Sequence, residues 1–191
     1  MKKFLFIVMA MCLTGVAKAQ LYGSDVYYYV PAGVSITDQT LVIPVYFNGD
    51  NIVLDYSYDC SNYTRKGIIE SLNNDSNYLL DKLKLWSENP KNSCYYEYNS
   101  SMSTSSKEVY ERKWKSDWRT VTIPQPFGFP TVQSVRDDLG YYYCAFSHDK
   151  NSLITWRERK STGSIESKKY YKRVDVKDLM PKAANRDFLY E

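Results

Sequence analysis

The sequence predicts an α+β, mainly β, fold: a single domain with a twisted, mostly antiparallel sheet of roughly six to eight strands, and one or two helices packed on one face. Short runs of aromatic and β-branched residues alternate with turn residues, which is typical of half-buried strands. One segment, 64–88, changes to a helical period. Long continuous apolar runs, typical of fully buried parallel strands, are absent, so an antiparallel arrangement is favoured.

Residues 1–19 have the pattern of a cleaved secretory signal peptide. Lys2 and Lys3 precede an apolar run, and Ala17-Lys18-Ala19 has the small-x-small form of a cleavage site. The apolar run is short for a permanent membrane anchor, and no later segment is predicted to cross a membrane. We therefore expect an exported protein of bacterial type, periplasmic or extracellular, whose folded domain is 20–191.

Removal of this signal changes the net charge. Three of the 25 basic residues are lost with it, which leaves 22 basic against 22 acidic residues. A neutral chain lacks the basic footprint of nucleic-acid-binding proteins, so no nucleic-acid partner is predicted. The charges are nevertheless uneven, because 20–64 has no Lys or Arg and 146–182 is rich in both. Two explanations stay open: opposite charges on neighbouring strands, or a patch that binds anions.

The first third of the chain predicts a meander of strands at 26–30, 40–47 and 51–57. Asn48-Gly49 joins the last two, and Asn-Gly between such runs is the strongest short-range signal for a hairpin because both residues accept positive φ. Pro44 cannot donate a hydrogen bond to a neighbouring strand, which favours an edge or a bulge at that position.

Segment 64–88 predicts one or two helices. Its apolar residues recur at spacings of three and four, the stripe of a helix that faces a core: Ile68, Ile69, Leu72, Leu79, Leu80, Leu83 and Trp86. Asn73-Asn74-Asp75-Ser76 interrupts the stripe and offers a cap for a second helix, and Asn89-Pro90 ends it.

The second half of the chain predicts strands at 107–114, 118–123 and 168–174. Segment 124–130 has three prolines and should be irregular, because proline removes the donors that regular structure needs. Segment 132–139 is predicted to form a short helical turn.

Segment 140–158 predicts a β-hairpin with a turn at 147–152. Side chains alternate along a strand, so Tyr142, Cys144 and Phe146 share one face and Tyr141 and Tyr143 share the other. We expect the first face to be core and to include two residues of the returning strand, Ile154 and Trp156.

Three cysteines follow the signal peptide. Cys60 and Cys94 lie in polar stretches on either side of the helical segment, and we predict a disulfide between them. By closing the loop between these two residues, the disulfide would stabilise the folded state by roughly 3 to 4 kcal/mol on the chain-entropy model. Cys144, within a strand, is expected to be a buried free thiol.

No residue set in the sequence predicts a catalytic site, a metal site or a cofactor. His148 is the only histidine. Along an extended strand it would lie roughly 13 Å from Cys144, whereas a nucleophile and its base need hydrogen-bond contact. Phosphate-binding loops, nucleophile elbows and paired Cys-x-x-Cys motifs are also missing from the sequence.

The functional prediction depends on the aromatic excess, since 19 tyrosines follow the signal peptide. Exposed aromatic rings with polar rims are typical of surfaces that bind proteins or sugar rings. We therefore predict a non-catalytic binding module for a protein or glycan ligand, with Trp114, Trp118, Tyr141 and Tyr143 as ligand-binding residues. The alternative is a small secreted hydrolase with unidentified carboxylate catalysts.

Overall fold

A computed structural model describes residues 26–55, 63–74, 77–89, 91, 94–114, 118–136 and 140–181. The strands in this part of the chain are β1 (Val26–Pro31), β2 (Leu41–Asn48), β3 (Asn51–Leu54), β4 (Tyr63–Thr64), β5 (Tyr95–Tyr98), β6 (Lys107–Trp114), β7 (Trp118–Ile123), β8 (Thr131–Arg136), β9 (Gly140–Ser147), β10 (Ser152–Arg159) and β11 (Ile165–Val174). The helices are α1 (Arg65–Asn74), α2 (Tyr78–Ser87) and the short α3 (Val176–Leu179). The predicted signal peptide, 1–19, lies outside the described residues.

The predicted twisted sheet with one or two helices packed on one face is wrong, because the sheet closes on itself. Eight strands follow one another in the order β1-β11-β10-β9-β6-β5-β3-β2, and β2 pairs with β1 again to give a closed antiparallel barrel. The closing contact has Tyr27 of β1 opposite Val45 of β2 and Tyr28 opposite Pro44. On its other side β1 pairs with β11, at the far end of the chain. Closure gives each strand of the barrel a neighbour on both sides, and β2 also pairs with β4 through Leu41 and Val42.

The chain forms two compact units. The first unit consists of Met1–Tyr95 together with Tyr171–Glu191, and the second consists of Tyr96–Tyr170. In the first unit, α1 and α2 occupy the segment whose helical period predicted them. Thr64 precedes α1, and its hydroxyl accepts a hydrogen bond from the Gly67 amide, as an N-cap side chain does. The helices bury Ile68, Leu72, Leu79 and Leu83 in a cluster with strand residues that include Tyr28, Val42 and Val53.

The predicted hairpin between β2 and β3 is confirmed, but its turn lies one residue later than predicted. Asn48 pairs with Asn51 as the last residue of β2, so Gly49 and Asp50 form the turn, and of the two predicted turn residues only Gly49 has a positive φ, 57°. Positive φ is nearly free of strain for glycine and costly for other residues, so this residue type suits the turn.

In the second unit β9 lies between β6 and β10, and its register corrects one prediction. Cys144 faces Thr155 and Tyr143 faces Trp156. Since paired residues share a face, Ile154 and Trp156 lie on the face of Tyr143. The prediction that they lie on the face of Cys144 is therefore wrong. The hairpin turn sets this register, and a one-residue shift moves every side chain to the opposite face.

The predicted helical turn at 132–139 is also wrong over its first part, because Thr131–Arg136 is strand β8. It pairs along its whole length with β7, from Trp118 opposite Arg136 to Ile123 opposite Thr131. This segment is a strand because it pairs with β7, which lies on the other side of the proline-rich loop in the sequence. The residue pattern within the segment does not reveal that partner.

None of the helices in the described part of the chain is long and apolar enough to cross a membrane.

Candidate functional site

Strands β7 and β8 form a hairpin that we call the arm (118–136). They make a separate two-stranded sheet, and in the described part of the chain neither strand pairs with another one. The sequence has no charged residue between Arg119 and Arg136. Apart from an arginine near each end, the arm is therefore uncharged, in a protein of which one residue in four is charged.

The tip of the arm carries two exposed phenylalanines. Phe127 retains 95% of its accessible surface and Phe129 retains 94%. Isolated exposed apolar residues are common, whereas here two almost fully exposed aromatic rings lie two residues apart at one loop tip. Exposed aromatic side chains grouped in this way are candidates for contact with a partner.

The loop that holds these rings is restricted in conformation. Pro124, Pro126 and Pro130 lock their φ angles, and Gly128, between the two rings, has a φ of 110°. A Cβ at Gly128 would meet nothing within 4 Å, so the backbone angle is the reason for glycine here. Three fixed φ angles lower the conformational entropy that this loop loses on binding.

Tyr141 and Tyr143, two of the predicted ligand-binding residues, lie in a stack of rings. The centroids of Tyr141 and Tyr143 are 5.9 Å apart, and those of Tyr143 and Trp156 are 5.1 Å apart at an interplanar angle of 23°. Tyr143 is buried, whereas Tyr141 and Trp156 are half-buried. The faces of Tyr143 therefore contact other rings of the same chain. Burial, followed by the nearby Glu158 carboxylate, raises the pKa of Tyr143 to about 12.

Trp114 and Trp118, the other two predicted ligand-binding residues, are described at the level of the backbone. Trp114 ends β6 opposite Gly140, and Trp118 begins β7 opposite Arg136. Their side chains lie outside the described part of the structure. Their role in binding stays a prediction.

The other face of β9 is a polar and aromatic interior. The Arg112 guanidinium carbon lies 4.5 Å from the centroid of the Tyr142 ring and 5.6 Å from that of Tyr96. Cys144 is a free thiol in this interior, 1% exposed. Burial raises the pKa of the Cys144 thiol well above its ordinary value. Because the thiolate is the reactive form, this environment does not suit a nucleophile.

His148 lies in the turn between β9 and β10 and is half exposed. Its Nδ1 is 3.6 Å from Oε1 of Glu108, and its Nε2 is 3.2 Å from the carbonyl oxygen of Thr104. These contacts tie the turn to the β6 side of the unit. Nowhere in the described ranges do three or more His, Cys, Asp or Glu side chains gather as a metal site requires.

Cys94 is disulfide-bonded. Cys60, its predicted partner, lies outside the described residues, so the Cys60–Cys94 pairing stays a prediction. Cys144 is free, which removes it as the partner of Cys94.

Sequence reasoning did not identify the tip of the arm as a functional surface, although a signal was present. Two phenylalanines lie among three prolines within an uncharged stretch. The irregular loop was predicted, but its exposure depends on the pairing of β7 with β8. No protein-family model, no curated protein and no solved structure matches this chain.

Proposed function

We propose that this protein is an exported, non-catalytic module that binds another protein through Phe127 and Phe129 at the tip of the arm. The observation that carries the proposal is the almost complete exposure of both rings. Burial of a phenylalanine side chain contributes about 1.5–3 kcal/mol, so two rings supply roughly 3–6 kcal/mol towards binding. Aromatic anchors that fill a pocket commonly dominate the energy of a protein interface.

A protein pocket accounts for the tip better than a lipid bilayer does. Segment 124–130 is irregular, and lipid-exposed irregular loops do not occur within the hydrocarbon region of a bilayer. A protein surface accommodates an irregular loop without this restriction. The uncharged stretch between Arg119 and Arg136 also has no cation close to the rings for anionic lipid headgroups.

The tip also accounts for binding better than the aromatic face of β9 does. A sugar ring needs an open aromatic face, whereas the Tyr143 ring is buried, stacks on Trp156 and contacts Tyr141. The predicted glycan ligand therefore has less support than the protein ligand. The alternative of a small hydrolase gains no support from these contacts and stays a prediction.

Photo-crosslinking from the tip tests the proposal. A photoreactive phenylalanine analogue replaces Phe127 in the full chain, and in a matched control it replaces Leu85, which is 65% exposed on α2. We expect one protein to be crosslinked from position 127 and not from position 85. Crosslinking of the same proteins from both positions, or of lipid alone, contradicts the proposal.

The partner found in this way is then purified, and its affinity is measured against variants. The double variant Phe127→Ser/Phe129→Ser should bind roughly 700-fold more weakly, since two hot-spot side chains at about 2 kcal/mol each contribute about 4 kcal/mol. The control double variant Val34→Ser/Leu85→Ser, at exposed apolar residues outside the arm, should bind like the wild type. Equal affinity of all three proteins would exclude the tip as the binding site.

A further inference from the structure

Lys82 of α2 lies in a cage of aromatic and acidic groups in the first unit. Its ammonium nitrogen is 4.5 Å from the centroid of the Trp86 ring and 5.0 Å from that of Tyr63, and it donates a hydrogen bond to the Tyr63 hydroxyl. The carboxylate of Asp55 lies 3.7 Å from the same nitrogen, and that side chain is fully buried. The lysine side chain itself remains 24% exposed, so the cage opens to solvent.

The walls of this cage come from separate parts of the chain. Asp55 follows β3, Tyr63 belongs to β4, and Trp86 lies one helical turn after Lys82 on α2. Tyr63 and Trp86 also pack against the buried cluster of the first unit, which holds their rings in place. The walls therefore have a structural support that does not depend on the lysine side chain.

The aromatic face of Trp86, the Tyr63 hydroxyl and a carboxylate are groups that recognise an ammonium ion. The ring quadrupole attracts a cation over its face, and the attraction grows when the cation is desolvated. A buried carboxylate without a cation is costly, which adds to the preference for a positively charged occupant. In this chain, the Lys82 ammonium group occupies that position.

We propose that Asp55, Tyr63 and Trp86 form an ammonium-binding site that the chain fills with its own Lys82. Removal of the lysine side chain leaves a site for a small primary alkylammonium ion from solution. The proposal is independent of the function assigned to the arm, because none of its residues lies in β7 or β8. Because the cage accommodates the unbranched side chain of Lys82, the ligand must be short and unbranched.

The test is chemical rescue of the Lys82→Ala variant of the full chain by propylammonium chloride, which replaces the atoms that the substitution removes. The measurement is the folded fraction in urea as a function of propylammonium concentration. We expect the variant to be destabilised and to regain stability in a saturable manner. At ten times the dissociation constant of the amine, the folded-to-unfolded ratio should rise about elevenfold.

Three controls assign the effect to the cage. Lys84→Ala removes a lysine from the same helix outside the cage and should not respond, and the wild type should not respond because its site is filled. The double variant Lys82→Ala/Asp55→Asn should lose the response. Sodium chloride and 1-propanol should not replace the amine.

Each result decides the proposal. If Lys82→Ala does not fold alone, propylammonium present during refolding should restore the folded state, and failure to do so refutes the site. An equal response from Lys84→Ala or from the wild type shows a solvent effect and also refutes it. A response that persists in the double variant excludes the carboxylate as the recognition group and overturns the proposal as stated.

Discussion

Leu83 and Leu85 are two residues apart on α2 and test which face of this helix supports the fold. Leu83 is fully buried in the cluster that the helices share with strand residues, whereas Leu85 is 65% exposed. The substitutions Leu83→Ala and Leu85→Ala remove the same atoms from the same helix. Any difference between them therefore reports burial and not helix propensity.

The expected cost of Leu83→Ala is about 3 kcal/mol, since a fully buried leucine loses its transfer free energy and leaves a cavity in a packed region. Leu85→Ala should change the free energy of unfolding by less than about 0.5 kcal/mol, as most surface substitutions do. For a urea dependence of about 2 kcal/mol per molar, the first variant shifts the unfolding midpoint down by roughly 1.5 M and the second leaves it in place.

Urea unfolding followed by far-ultraviolet circular dichroism and by tryptophan fluorescence measures both midpoints. Equal shifts in the two variants, or a shift below about 1 kcal/mol for Leu83→Ala, would refute the burial of this helix face. A change in the slope of the transition in either variant would instead report a change in the unfolded or native ensemble.

Three further predictions concern titration and backbone conformation. In an alkaline difference titration between wild type and Tyr143→Phe, the phenol that only the wild type carries should titrate near pH 12 and not near its ordinary pKa of 10. The free energy of unfolding that the protonated Tyr143 contributes is therefore fully present below pH 10 and is lost as the pH rises towards 12. Hydrogen bonds from Arg159 and then from Arg157 lower the pKa of Glu166. Glu166→Gln should therefore lower the urea midpoint at neutral pH, and this deficit should shrink in acid, where the wild-type carboxyl is protonated. A deficit that stays constant with pH would contradict the ion pair. Gly49→Ala should lower the free energy of unfolding by about 1–2 kcal/mol, because φ at this position is +57°. Gly67→Ala, in α1, should raise it by about 0.4–1 kcal/mol, because the added Cβ makes only an ordinary 3.5 Å contact. Changes of the opposite sign in urea unfolding would overturn these backbone assignments.

Local patterns predicted most of the individual elements. Strands β6 and β7 begin and end at the predicted residues, and the helical period of 64–88 marks α1 and α2. The hairpin between β2 and β3 was predictable because its turn needs a residue that accepts positive φ, and Gly49 is that residue. In these segments the cause of the structure is contained within a few neighbouring residues.

Errors arose where a partner distant in sequence or a turn of undefined length decided the outcome. Segment 132–139 contained no sign of the pairing that makes its first part β8, since that partner lies across the proline-rich loop. Trp156 was assigned to the wrong face of the 140–158 hairpin because the register depends on how the turn is closed. That turn includes Lys150 at a φ of 56°, a conformation that a lysine seldom adopts and that alternation along the strands does not predict.

The sequence by itself determined the strand-rich composition, the helices, the turn at Gly49 and an arm loop that prolines make irregular. Only the tertiary structure decided that β1 pairs with both β2 and β11, which closes the sheet. It also decided that Phe127 and Phe129 are exposed while Tyr143 is buried. The physical reason is that backbone preferences are local, whereas closure and exposure depend on which distant residues cover a surface.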